Sequence, residues 1–520
     1  MARLAVARAQ PPGRIPVNRN LAGQTLSIPA PVGGWNTRDA LDAMPPTDAV
    51  VLDNWFPDTK ALVIRSGHAS HATGVGSGSV ETVAQWRGPA SSKLLAAGGG
   101  EVYDATSSGA ASVLTSSAGY TVDRWQTANF NSSIFGVNGT DAPWDYDGTT
   151  FSTTSWTGVT ATSLVNVSSF KGRLIFVEKN TGSFWYPASV GAKTGALTEF
   201  DLGQIAQAGG FLMATASWSV DAGEGIDDRF VAVFSSGEVL VYQGSDPGSD
   251  FAKLGSYFGG EPIGRRCFMQ LGGELIIITK SGYLPLSVLV RDGTADAVEN
   301  HPVWGKIRSA QNESAMLYSG SDGWEAVRAP SGKELIFNVP TAVGDQFIQH
   351  VQNTITGAWC RYTGLDAYAW GDYSGDLYFG GGGGIVYKHT GNTDDGGEIP
   401  FTCKQAFSYL GDRGRIKDVT STRPMVDIAG SLIATIGLDV DFSERNFPAN
   451  NAEFTSTSTG TGWDEDDWDV AEWGDSPQPK QKWFSIRGCG RNFSVVFQGT
   501  TSATLKWYAT DLLGRVGGIR

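Results

Sequence analysis

The sequence predicts an all-β protein, a β-propeller of six or seven blades with an added C-terminal β-sandwich-like domain. Composition, the period of the apolar runs and an internal repeat carry that expectation. Of 520 residues, 68 are Gly and 17 are Trp, 41% are apolar and only 18% charged. This balance suits many short strands joined by tight turns. Beyond residue 54 the apolar runs are short, β-branched or aromatic, and Gly, Asn-Gly and Ser-Gly interrupt them. Almost nothing keeps a period of 3.6. A chain of this length exceeds what one core usually supports, so two or three domains are expected.

The repeat is the most informative feature. Seven times an apolar strand enters a glycine turn and leaves as a second strand, usually with an aromatic end: LLAAGGGEVY, SIFGVNGTDAPWDY, LIFVEKNTGSFWY, VAVFSSGEVLVY, LIIITKSGYLPL, LIFNVPTAVGDQFI and LYFGGGGGIVY. The turn glycines are Gly100, Gly139, Gly182, Gly237, Gly282, Gly344 and Gly384. Their separations match the roughly 40 to 50 residues of a four-stranded blade and exclude solenoids of about 20 to 35 residues per repeat. Gly172, Gly273, Gly332 and Gly375 open several of the same hairpins from the other end. A single hairpin cannot cover its apolar faces, so burial must come from neighbouring units. Radial closure achieves that and leaves only short edges. A stack of β-sandwiches would account for the turns equally well.

Residues 1–35 read as an extended N-terminal arm. It holds Arg3, Arg8, Arg14 and Arg19 among five prolines, a composition that resists helix and sheet. These arginines are candidate partner-interface residues, the plain alternative being a disordered tail. The stretch 40–54, ALDAMPPTDAVVLDN, carries the best helix signal. Residues 36–400 are assigned to the propeller and 401–520 to the C-terminal domain. A long acidic loop at 446–481 interrupts that domain, and its Trp463, Trp468 and Trp473 are further candidate interface residues.

The formal charge of −14 opposes any general affinity for phosphate backbones. Cys267, Cys360, Cys403 and Cys489 are too far apart in sequence for a CxxC zinc or redox site and are expected as buried thiols of a protein made in a reducing cytoplasm. Arg3 and Arg8 break the N-terminus before an apolar signal core forms. No run approaches the roughly 18 apolar residues of a membrane span.

Candidate chemistry is sparse, and neither a catalytic residue, a cofactor site nor a metal site is assigned. The tract WDEDDWDVAEWGD is dense in carboxylates but lacks the glycine and terminal glutamate of an EF-hand loop. His68 and His71 form an HxxH pair with no further ligand nearby. Gly380 to Gly384 are not followed by Lys-Ser/Thr and a helix, as a phosphate loop requires. Glycoside hydrolysis needs two converging carboxylates. Asp227, Asp228, Asp292, Asp372 and Asp376 stand out for that role only weakly, because turn aspartates usually serve the backbone. The 17 Trp and 15 Tyr also suit stacking on sugars.

Three segments together resemble the tail hub or nozzle proteins of short-tailed phages, a family that includes the nozzle of T7-like phages and the packaged-DNA stabilisation protein of P22-like phages. The first is GGWNTRDALDAMPPTDAVVLDNWFPDTKALVIRSG, with Leu52, Asp53, Asn54, Trp55, Phe56, Pro57, Arg65 and Gly67. The second is the hairpin series. The third is the ending GRNFSVVFQGTTSATLKWYATDLLGRVGG, with Trp507, Tyr508, Gly517 and Gly518. The resemblance implies a non-enzymatic virion protein forming a ring of six copies at the distal end of the tail. It would dock to a head-tail adaptor protein, carry fibres, spikes or a needle, and conduct double-stranded DNA without binding it specifically. A carbohydrate-binding receptor-recognition protein and a tail polysaccharide hydrolase are the alternatives.

Overall fold

The computed structural model describes residues 23–114, 119–221, 226–299, 301–341, 346–429, 432–443, 451–454 and 478–517. The chain is all-β: among the described residues 53% lie in strands and two short α-helices occur. All seven repeat motifs form antiparallel pairs, each in a different sheet.

Sheet 1 runs Thr82–Arg87, Ser92–Gly98, Glu101–Asp104, Ser112–Val113. Sheet 2 runs Gln126–Phe130, Ser133–Val137, Trp144–Tyr146, Phe151–Thr153. Sheet 3 starts at Leu164–Phe170 and sheet 4 at Leu212–Asp221. Sheet 5 has three strands and starts at Phe268–Leu271, and sheet 6 starts at Glu325–Arg328. Sheet 7 runs Ala369–Tyr373, Asp376–Gly380, Val386–His389. Its fourth strand, His68–Thr73, comes from more than 300 residues earlier and pairs antiparallel with Val386–His389. The first strand of each sheet packs beside the first strand of the next, and Ala369–Tyr373 packs beside Thr82–Arg87, so the order closes on itself.

Beyond its fourth strand, Trp359–Thr363, sheet 6 continues through Asp48–Asp53, Ile399–Gln405, Phe493–Thr501, Leu432–Val440 and Asn451–Phe454. A separate seven-stranded sheet is built on Lys417–Ile428 and Leu505–Val516, and Leu62–Ile64, Trp55–Pro57 and Gln24–Pro29 join it. The two sheets meet through aromatic rings. Trp55 from one lies 5.1 Å, centroid to centroid, from Phe401 and 5.9 Å from Phe497 of the other, and Trp507 lies 5.2 Å from Phe497 and 5.9 Å from Trp55. All four side chains are buried. Interlocked aromatics of this size dominate the burial energy of a core.

Several expectations are corrected. Residues 24–35 of the proposed arm contain the strands Gln24–Pro29 and Gly34–Trp35. Gln24–Pro29 pairs along its whole length with residues 509–514, so it is held by a complete ladder of backbone hydrogen bonds. The stretch 40–54 is a turn followed by the strand Asp48–Asp53. Pro45 and Pro46 stop helix propagation, and the β-branched Val50 and Val51 lie in a strand paired with Thr402 to Gln405. The boundary at 400 is not a break in structure, because residues 48–64 pair with strands on both sides of it. Helices α1 (Leu286–Asp292) and α2 (Arg308–Tyr318) interrupt the strands between sheets 5 and 6. α1 starts after Pro285 and ends on Gly293 at φ 81°, the left-handed stop that glycine favours. Cys267, Cys360 and Cys403 are buried, whereas Cys489 is exposed because it alternates outward on Phe484–Gly490.

Truncating Trp507 to Ala would leave a void between the two sheets that the surrounding rings cannot fill. W507A is expected to lower unfolding free energy by about 3–5 kcal/mol, read by denaturant titration.

Two imidazoles enter the core uncharged. Burial, reinforced by the Arg361 charge, pushes His350 down to about 3, and burial with the Arg65 and His68 charges does the same to His389. Below pH about 6.5 the unfolded chain therefore binds more protons than the folded one. Stability is expected to fall with acid by up to about 1.4 kcal/mol per pH unit per histidine. In denaturant titrations between pH 7 and 5, H350Q should reduce that slope by about one proton.

Candidate functional site

The closed order of sheets brings seven chain segments to one cavity of about 260 Å³. Val83, Gln126, Asn166, Thr215, Glu325 and Trp370 reach it from sheets 1, 2, 3, 4, 6 and 7, and Arg265 and Arg266 from the segment entering sheet 5. Each lies in or beside the first strand of its sheet.

Arg266 crosses this space. Its Nη1 donates to Glu325 Oε2 at 2.8 Å, and Nη2 donates to the carbonyls of Glu81 (3.1 Å) and Trp125 (2.8 Å) and to Thr82 Oγ1 (3.2 Å). One guanidinium thus joins sheets 1, 2, 5 and 6. Glu325 Oε1 in turn accepts from the Trp370 amide of sheet 7 at 2.5 Å. Arg124 Nε stands 4.0 Å from Glu81 Oε2, and its Nη2 donates to the Tyr368 carbonyl at 3.4 Å. Burial, then repulsion from Arg266, lowers the Arg124 pKa from its ordinary value. Arg265 donates to the Met213 carbonyl at 2.9 Å and lies over the Phe211 ring at 5.8 Å, and burial lowers its pKa too.

A second cluster joins the circuit of sheets to the pair of C-terminal sheets. Arg65, 2% exposed, donates from Nε to Asn54 Oδ1 (2.9 Å), from Nη2 to the Thr363 carbonyl (2.8 Å) and from both terminal nitrogens to Asp394 (2.8 and 2.6 Å). Asn54, at φ 61°, also donates to the Pro400 carbonyl at 2.7 Å. Asp53 takes a two-pronged bond from Arg361 at 2.7 Å on each prong. At Gly67 an added Cβ would overlap the Thr393 carbonyl, so only glycine lets the chain pass there.

Arg3, Arg8, Arg14, Arg19, Trp463, Trp468 and Trp473 lie outside the described residues. His68 and His71 take different partners, Asp394 Oδ1 at 3.2 Å and the Ala105 carbonyl at 3.1 Å, as a spacing of three along a strand dictates. Among the described residues no group of three or more His, Cys, Asp or Glu is placed to hold a metal ion. Asp228, Asp292, Asp372 and Asp376 pair with separate cations, Lys171, Arg291, Arg87 and Lys388, and the side chain of Asp227 lies outside the described residues. Among the described tryptophans only Trp483 is exposed, at 39%. Sequence reasoning passed over Arg124, Arg265 and Arg266. The available signal was positional, since each sits two or three residues before the first strand of a repeat unit.

No family model and no curated protein matches the chain. Solved structures that it is similar to include the computationally designed protein Ika8 (11% identity, 62% of this chain and 99% of that one, TM-score 0.36). Sqt1 of Saccharomyces cerevisiae matches at 9% identity over 65% of this chain and 86% of that one, TM-score 0.36. An exo-β-1,3-galactanase of Phanerochaete chrysosporium matches at 7% identity over 76% and 98%, TM-score 0.25. Likenesses at this level carry no functional argument.

Removing the Arg266 charge would strand Glu325, whose side chain is 9% exposed. R266M is expected to cost about 3–5 kcal/mol of stability. The double variant R266M/E325Q should recover part of it, which chemical denaturation of all four forms would measure as a coupling energy.

Proposed function

We propose that this chain is a structural, non-enzymatic component of a short phage tail. In this proposal the seven sheets are the blades of a β-propeller and the two C-terminal sheets form a sandwich-like cap. Copies of the chain assemble into the distal nozzle or hub ring that docks to the head-tail adaptor, carries fibres or spikes and conducts the genome outward.

The observation that carries this proposal is where the family-like residues meet. Asn54, Trp55, Arg65 and Gly67 of the opening segment and Trp507 of the ending, far apart in sequence, occupy a single junction at the base of the circuit. The segments that resemble the tail family are therefore parts of one structural unit, as a shared architecture requires. Charge supports the same reading. At −14 per chain, an assembled wall repels duplex phosphates and does not trap DNA in transit. Arg266 closes the axis within each copy, so the passage for DNA is assigned to the space between copies. The burial of twelve of the fourteen described tryptophans in the core removes most of the motive for a sugar-stacking surface.

Native mass spectrometry and negative-stain imaging of the purified chain test the assembly. The expected result is a ring whose mass is a multiple of 55.2 kDa, six copies being the proposed number, with an axial opening wide enough for duplex. A monomer at every concentration, with no ring on addition of tail proteins, would reject it.

A further inference from the structure

The axial cavity holds more positive charge than its own carboxylates answer. Glu325 is taken by Arg266 at 2.8 Å and by the Trp370 amide. Glu81 is shared between Arg124 at 4.0 Å and Ser79, and Asp322 acts on Arg124 only at longer range. Arg265 makes no ion pair among the described residues. Its guanidinium reaches the carbonyls of Leu212 and Met213 through Nη1 alone, and no other nitrogen of it has a recorded partner. Arg124 Nε is buried without a hydrogen-bond partner. In a chain of net charge −14, two adjacent arginines lining one partly open pocket, with a third repelling one of them, form a local reversal of sign.

Arg265 is half-buried, and a guanidinium partly withdrawn from water retains its charge and gains from an anionic partner. Water in the cavity would solvate it in part, whereas an oxyanion would do so by charge-assisted hydrogen bonds of about twice the ordinary strength. The volume, about 260 Å³, lies just under the roughly 300 Å³ at which drug-sized ligand sites begin. It admits a small ion. Gln126, Thr127 and Thr215 add uncharged polar groups to the wall.

We infer that the axial cavity is a binding site for one small oxyanion, of the phosphate or carboxylate class, with Arg265 as its principal charge partner. The bound ion completes the electrostatics of the axis and ties sheet 5, the one with only three strands, to its neighbours. The inference is independent of the tail proposal, since it concerns the folded chain whatever its assembly.

The test uses the full chain, with sodium phosphate and sodium acetate as separate probes and sodium chloride at matched ionic strength as reference. Calorimetric titration is expected to give one saturable site per chain for at least one probe. The thermal midpoint is expected to rise with the logarithm of that probe's concentration. R265M, confirmed as folded by circular dichroism, should weaken binding by about tenfold or more, the loss expected for a hydrogen bond to a charged group. Q126E, a nearly isosteric change that supplies a resident carboxylate, should raise the midpoint in chloride alone and remove the probe-specific increment. Phosphate and acetate both indistinguishable from chloride, or a probe response that survives unchanged in R265M and Q126E, would overturn the inference.

Discussion

The architecture depends on one buried cation. Arg65 is 2% exposed, yet five hydrogen bonds leave its guanidinium for Asn54, Ser66, Thr363 and Asp394. These partners belong to the opening segment, to the last strand of sheet 6 before it enters the C-terminal layers, and to the turn after sheet 7. Desolvating a guanidinium is unfavourable unless every donor is answered and the carboxylate geometry is good. The constraint therefore fixes three chain segments at once. Asn54 accepts the left-handed conformation, and residue 67 must be glycine, so that these groups can close around the charge.

The same device appears at the axis, where Arg266 binds four sheets through one planar group. Sheets packed face to face hold by apolar contact, which is non-directional and tolerates sliding. A fork of fixed donors does not tolerate it, and so the arginines set the rotational register of the circuit. The division of labour follows the chemistry: aliphatic and aromatic residues fill the spaces between sheets, and a few arginines specify which sheet stands where.

Much of this was legible in the sequence, and the illegible part has a physical cause. All seven glycine-turn hairpins were visible because strand pairing across a short turn is local, with both strands and the turn residue adjacent in the chain. The placement of residues 24–64 was not visible. The partners that place Gln24–Pro29 and Asp48–Asp53 lie more than 300 residues away, and the run Val50-Val51-Leu52 after two prolines satisfies a short helix pattern as well as a buried strand. Helices α1 and α2 were missed because strand-like apolar residues, Leu286, Val288 and Leu289, supply the buried face of the first. The axial arginines carry no local pattern, for they become a cluster only when first strands from different repeats converge. Nothing about the interface candidates in the arm and in the acidic loop can be weighed in the same way, since they lie outside the described residues.

The strand His68–Thr73 has a consequence for the order of events on the ribosome. Its partner, Val386–His389, is translated more than 300 residues later. At about 5–20 residues per second, an early edge strand waits on the order of 15 to 60 s before the last sheet can accept it. During that interval sheets 1 to 6 exist as an open arc with two unpaired ends, and the nascent chain must keep those ends from seizing each other or a neighbour's. Closure of the circuit is thus a late, long-range step imposed by topology, and a single six-residue strand decides when it is finished.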